Sequence, residues 1–78
     1  MCIARVGRIV SSSGGRSVVC FFDGRTSEGI DTSILGAQVG NYVEVFGSLA
    51  ISKLDGAEAR RRKAAWREIR KAAAELRA

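Results

Sequence analysis

A cysteine, Cys2, is the second residue of the chain, and another, Cys20, lies inside the apolar run Val18-Val19-Cys20-Phe21-Phe22. They are the chain's two cysteines, and it has no histidine. That inventory excludes the Ser/His/Asp triad, the Cys/His dyad and every zinc site that uses imidazole. Two thiols cannot close a four-ligand site, so a metal handled here needs further ligands from a partner or from small molecules. Cysteine is small enough for the initiator methionine to be removed, leaving a free α-amino group beside the Cys2 thiol. A thiolate near a chain end is an accessible soft ligand for iron, copper or zinc. Arg5 and Arg8 would lower its pKa if they lie close. Composition leaves equally open that Cys2 is incidental. Cys20, in its apolar run, reads as a small buried hydrophobe.

The carboxylates offer no catalytic pair. Asp23 precedes Gly24 as turn chemistry, Asp55 suits a helix cap, and Glu28, Asp31 and Glu44 share no spacing. Ser13-Gly14-Gly15 and Asp23-Gly24 lack the strand–loop–helix setting of a phosphate loop. The residue types therefore exclude the familiar enzyme classes and point to a protein that is not an enzyme.

The 78 residues make one small domain, with 46% apolar and 27% charged side chains. A chain this short carries little room for a deep cleft. The first eight residues do not read as a signal peptide, and no apolar run approaches the ~20 residues of a membrane span. A cytoplasmic address with no membrane association is expected. The net charge of +5 is uneven: five basic against four acidic side chains before Asp55, and eight against four from Asp55 onward.

Residues 1–54 read as a small β-barrel and residues 55–78 as a C-terminal helix of the same domain. Ile3–Val10 is a strand expected to stop at Ser11-Ser12-Ser13-Gly14-Gly15, a turn cluster. Ser17–Phe22 is a second strand ended by Asp23-Gly24, and Thr26–Ile30 a weaker third. Asp31–Gly40 is irregular, with Ile34, Leu35 and Val39 as plugs for the core. Asn41–Ile51 reads as one long strand with Val43 and Val45 on one face, bent at Gly47-Ser48. Short strands with nothing to cover both sides of an open sheet should close into a barrel of the oligonucleotide/oligosaccharide-binding type. Asp55 caps the helix, Glu58 sits three residues on, and Leu54 is placed to staple to Ala59. Ala59, Trp66, Ile69, Ala73 and Leu76 form one stripe, interrupted by Arg62, that should dock Trp66 and Ile69 on the barrel or a partner.

The basic helix, Arg60-Arg61-Arg62-Lys63 with Arg67, Arg70 and Lys71, admits phosphate binding. Phe21, Phe22, Tyr42, Phe46 and Trp66 sit mostly in core-like contexts, and Glu58, Glu68 and Glu75 dilute the charge. A solvated helix face is favoured over a nucleic-acid interface.

Three blocks resemble the HypC/HupF hydrogenase maturation chaperones. They are Met1-Cys2-Ile3-Ala4-x-x-Gly7-x-Ile9-Val10, Val39-Gly40-Asn41-Tyr42-Val43-x-Val45, and Ala50-Ile51-Ser52-Lys53-Leu54-Asp55-x-x-Glu58-Ala59. The resemblance runs to about residue 59. It implies the same barrel with a C-terminal helix, and a non-catalytic role in building [NiFe]-hydrogenases. It further implies two protein partners, a HypD-type scaffold and the hydrogenase large-subunit precursor. The cargo it implies is a transient iron carrying cyanide and carbonyl ligands, with no permanent cofactor. Cys2 matches the family's metal-handling cysteine. Two departures stand out: Val6 lies where the family has a stiffening proline, and Phe46 where it has a histidine. A basic nucleic-acid-binding barrel, and a paralogue that docks on the large subunit without carrying iron, are the alternatives.

Overall fold

The computed structural model describes residues 4–77. Five strands close into a barrel in the order β1-β2-β3-β5-β4, with β4 returning to β1. In chain order they are β1 (Arg5–Ser13), β2 (Arg16–Phe21), β3 (Thr26–Asp31), β4 (Tyr42–Phe46) and β5 (Leu49–Leu54), followed by helix α1 (Gly56–Arg77). The expected small β-barrel with a C-terminal helix is what the chain forms.

Alternation makes the core. Along β2, Ser17, Val19 and Phe21 turn inward, while Val18 and Cys20 turn out. Ile9, Val19, Phe21, Ile30, Val43, Val45 and Ala50 fill the barrel. Burying each of the larger side chains contributes about 1.5–3 kcal/mol. The two buried polar side chains, Ser17 and Thr32, are hydroxyls whose oxygens lie 2.8 Å apart. Thr32 also donates to the Gly15 carbonyl, so neither is left without a partner.

Gly7 is inside the barrel because nothing larger fits. A Cβ there would stand 2.5 Å from Val19 Cγ1 and 2.8 Å from the Cys20 carbonyl oxygen. The glycine at the seventh position of the family-like block is thus a packing requirement of the β1–β2 pair, where Gly7 lies opposite Phe21.

Several boundaries differ from the sequence reading. Ser11–Ser13 is not a turn but the end of β1, paired with Val18, Ser17 and Arg16 after a register shift between Ile9 and Ser11. The turn is Gly14-Gly15 alone, both with positive φ, as a two-residue hairpin of this hand requires. Asn41–Ile51 is not one bent strand. Gly47-Ser48 is a two-residue hairpin turn joining β4 to β5, with Phe46 opposite Leu49 and positive φ at Gly47. Of the three expected core plugs only Leu35 packs on the core, together with Ala37; Ile34 and Val39 are exposed.

Helix α1 starts where Asp55 Oδ1 accepts the Glu58 N–H at 2.7 Å, the expected cap. Glu58 places a carboxylate in the first turn, where the helix dipole favours it. Ala59 is buried, and Arg62 ties the helix to the barrel by donating to Glu44 on β4 at 2.8 Å. The helix spans about 33 Å at 1.5 Å per residue, in a molecule measuring 45 × 24 × 20 Å. Its second half therefore runs past the barrel.

Candidate functional site

Cys2, the residue singled out for metal handling, lies outside the described residues. The neighbourhood its chain enters is described from Ala4 on. Arg5 is paired with Val45, so Phe46, the next residue of β4, lies at the edge where β1 begins. Phe46 is about half exposed. The position at which the family resemblance expects a histidine is thus at the barrel end where β1 begins.

Arg5 caps that end. Its guanidinium carbon sits 3.8 Å from the centroid of the Phe21 ring, and its Nη2 bonds Asp23 Oδ2 at 3.3 Å. Asp23 is held by the tight β2–β3 connection, where its other oxygen accepts the Arg25 N–H. The charge of Arg5 is therefore already opposed by a carboxylate. Arg8 lies on the outer wall instead, beside Cys20, Tyr42 and Lys63. The two arginines expected to act together on the Cys2 thiol diverge within β1.

Between this barrel end and α1 runs a groove of about 580 Å³. Ala4, Arg5 and Val6 form one wall, Phe21, Phe22 and Asp23 the floor, and Trp66 and Ile69 the helix wall. The lining is mostly apolar. The groove exists because β1 enters the barrel as α1 crosses outside it, leaving Trp66 half-buried opposite Val6. The helix stripe docks only in part: Ala59 is buried, whereas Ile69 is 69% and Leu76 is 89% exposed. Ile69 borders the groove without being covered by it, and Leu76 lies two turns further along the helix.

Cys20 differs from its sequence reading. It is half-buried on the outer wall of β2 rather than enclosed in the core, because the inward positions are Val19 and Phe21. Its thiol lies 3.8 Å from the Phe21 carbonyl oxygen, a weak hydrogen bond. Among the described residues no three Cys, Asp or Glu side chains gather as a ligand set. No described helix is long and apolar enough to cross a membrane.

Sequence reasoning missed the contact of Arg62 with Glu44, which depends on tertiary placement. Glu58 accepts from Arg61 and from Arg62, and Arg62 reaches on to Glu44. The Arg61 guanidinium first, then that of Arg62, holds the Glu58 carboxyl below its usual range. The same contacts raise Arg62, through Glu58 chiefly and then Glu44. On β3, the Ser33 hydroxyl and amide lower Asp31. These shifts describe structural ion pairs and turns.

Phe21 is the core aromatic. Phe22, Tyr42 and Trp66 are half-buried, and Phe46 is exposed, so the expectation of mostly core aromatics is corrected. The strand alternation that buries Phe21 places these others at barrel ends or outside.

No curated protein matches the chain. The sequence model described as the HupF/HypC family matches residues 1–66. That span takes in the Cys2 block, the whole barrel and the helix as far as Trp66.

Proposed function

The chain belongs to the HupF/HypC family, and from that premise we propose that it is a chaperone for the iron centre of a [NiFe]-hydrogenase. In this reading it is not an enzyme. It binds a HypD-type scaffold and then the large-subunit precursor, and Cys2 is its contact with the iron. The single observation that carries the proposal is the family match, which begins at residue 1 and includes Cys2.

The chemistry asked of Cys2 is ligand exchange. Its thiol loses a proton and the sulfur lone pair binds the iron, which keeps its cyanide and carbonyl ligands. A client cysteine thiolate then displaces Cys2 sulfur, which takes up a proton again. No electrons are transferred. Cys2 lies three positions before Arg5, a reach of at most about 11 Å between their Cα atoms. The thiol thus works within reach of the barrel end bearing Arg5, Phe46 and the groove.

Hydrogenase activity tests this. Cys2→Ala should abolish maturation and complex formation with the scaffold, while Cys20→Ala, changing a half-covered thiol outside the core, should preserve both. Normal maturation by Cys2→Ala would sink the iron-transfer role. Phe46 supports a second reading, a paralogue that docks on the large subunit without carrying iron, since phenylalanine cannot serve as a ligand or hydrogen-bond donor. Infrared bands of bound cyanide and carbonyl on the purified complex support the first reading, and their absence the second.

A further inference from the structure

The helix that runs past the barrel carries two parallel rows. Ile69, Ala73 and Leu76 continue the apolar lining of the groove out into solvent, spaced four and three residues apart on one helix face. Beside them Lys63, Arg67, Arg70 and Lys71 line an adjoining depression of about 510 Å³ together with Phe22 and Trp66. No carboxylate lines that depression. Arg61 and Arg62 are neutralised by Glu58 and Glu44, but among the described residues these four cations have no carboxylate within salt-bridge distance. Helical spacing turns Glu68 and Glu75 away from Arg70 but sets them three residues before and four residues after Lys71, so of the four cations those with no carboxylate neighbour along α1 are Lys63, Arg67 and Arg70.

We propose that this face of α1, with the groove at its base, docks an acidic amphipathic segment of a protein partner. Apolar side chains of the segment enter the groove and lie along Ile69 and Ala73, while its carboxylates meet Lys63, Arg67 and Arg70. Charge complementarity selects the occupant: an apolar row flanked by unopposed cations fits an apolar row flanked by carboxylates. Nucleic acid fits less well, because Phe22 and Trp66 are half-buried and the exposed row of Ile69, Ala73 and Leu76 offers no ring on which bases could stack. A lipid surface fits less well too, since the free apolar row is only Ile69, Ala73 and Leu76. The proposal rests on the reading of this protein as a chaperone with protein partners, and it supplies the chemistry of one contact, separate from Cys2.

The test uses the full chain and two purified probes, the scaffold protein and the large-subunit precursor, titrated at low and at high salt. Three variants are compared: R67E/R70E, the control R16E/K53E on exposed barrel positions, and C2A. Far-UV circular dichroism confirms that each is folded. The expected result is that R67E/R70E weakens binding to one probe by about tenfold or more at low salt. That parent complex should also weaken with salt, and R16E/K53E should bind as the parent does. Parent-like binding by R67E/R70E, with C2A still blocking maturation, overturns this proposal and leaves the chaperone reading intact. Loss of binding only to single-stranded RNA or to phosphatidylserine vesicles also overturns it. If the parent protein binds neither probe, the chaperone reading itself fails and this inference with it.

Discussion

Replacing Gly7 by alanine puts one methyl group inside the barrel, and the sign of its effect discriminates between two physical accounts. In an open strand the change would be favourable, because glycine in an element interior costs about 0.5–1 kcal/mol relative to alanine. Here the new Cβ would lie 2.5 Å from Val19 Cγ1, 2.8 Å from the Cys20 carbonyl oxygen and 3.0 Å from Phe21 Cδ1. Val19 is fully buried and has no space to turn into. The carbonyl is backbone within the β1–β2 pair and moves only if the pairing spreads. Overpacking of this kind typically costs about 1–3 kcal/mol. In a chain this size, with about 3–5 kcal/mol of net stability, a loss near 2 kcal/mol lowers Tm by roughly 8–16 °C. Thermal unfolding followed by far-UV circular dichroism, repeated with urea, measures it. An unchanged or raised Tm for Gly7→Ala would refute the reasoning and show that the β1–β2 pair yields.

Asp55→Ala removes the acceptor of the Glu58 N–H and should cost about 1 kcal/mol, read as a lower urea midpoint; Asp55→Asn, which keeps an acceptor oxygen, should cost less. The Glu58 carboxyl titrates lower in the folded protein than in the unfolded chain, so its contribution is full above about pH 4.3. That contribution is lost as pH falls through the lowered native value. The stability gap between the parent and Glu58→Gln should therefore narrow on acidification, in urea titrations at neutral and acid pH, and a gap that widens would contradict the ion-pair assignment. Phe46→His, at a half-exposed strand end, should change stability by no more than about 0.5 kcal/mol. If the missing imidazole limits the Cys2 thiol, the same variant should raise the iron recovered with the scaffold complex.

Legibility in the sequence followed the range of the forces involved. The Asp55 cap and the Asp23-Gly24 turn are local hydrogen-bonding events, and both were readable from a few adjacent residues. Val43 and Val45 were readable as one face because alternation in a strand is a local pattern, whereas the unbroken apolar run of β2 hid that Val19 and Phe21 face in and Cys20 out. Ile34 and Val39 were not readable, since an irregular segment has no period to say which apolar side chain faces in. Gly47-Ser48 is compatible with either a bend or a hairpin, and only the pairing of Phe46 with Leu49 decides. The helix stripe was correctly periodic, yet its end could not be placed without the barrel's width. In the site, the divergence of Arg5 from Arg8 and the Arg62–Glu44 contact depend on strand register, which the residue types do not specify.

Closure of the barrel also limits how anything can bind it. β3 and β5 are joined through one parallel pairing, Asp31 with Leu49, supported by the Asp31 N–H bond to the Ser48 carbonyl. β1 is paired on both sides at Gly7 and Arg8, whereas Arg5 and Val6 pair with β4 alone, so among the described residues the strand edge available to a client at that end is two residues long. Apart from that short edge, recognition at that end passes through side chains, so specificity can drift by substitution while the hydrogen-bonded frame stays as it is. The short β3–β5 seam is the place where that frame is thinnest. Native-state hydrogen exchange should find its amides opening before those of β1 and β2.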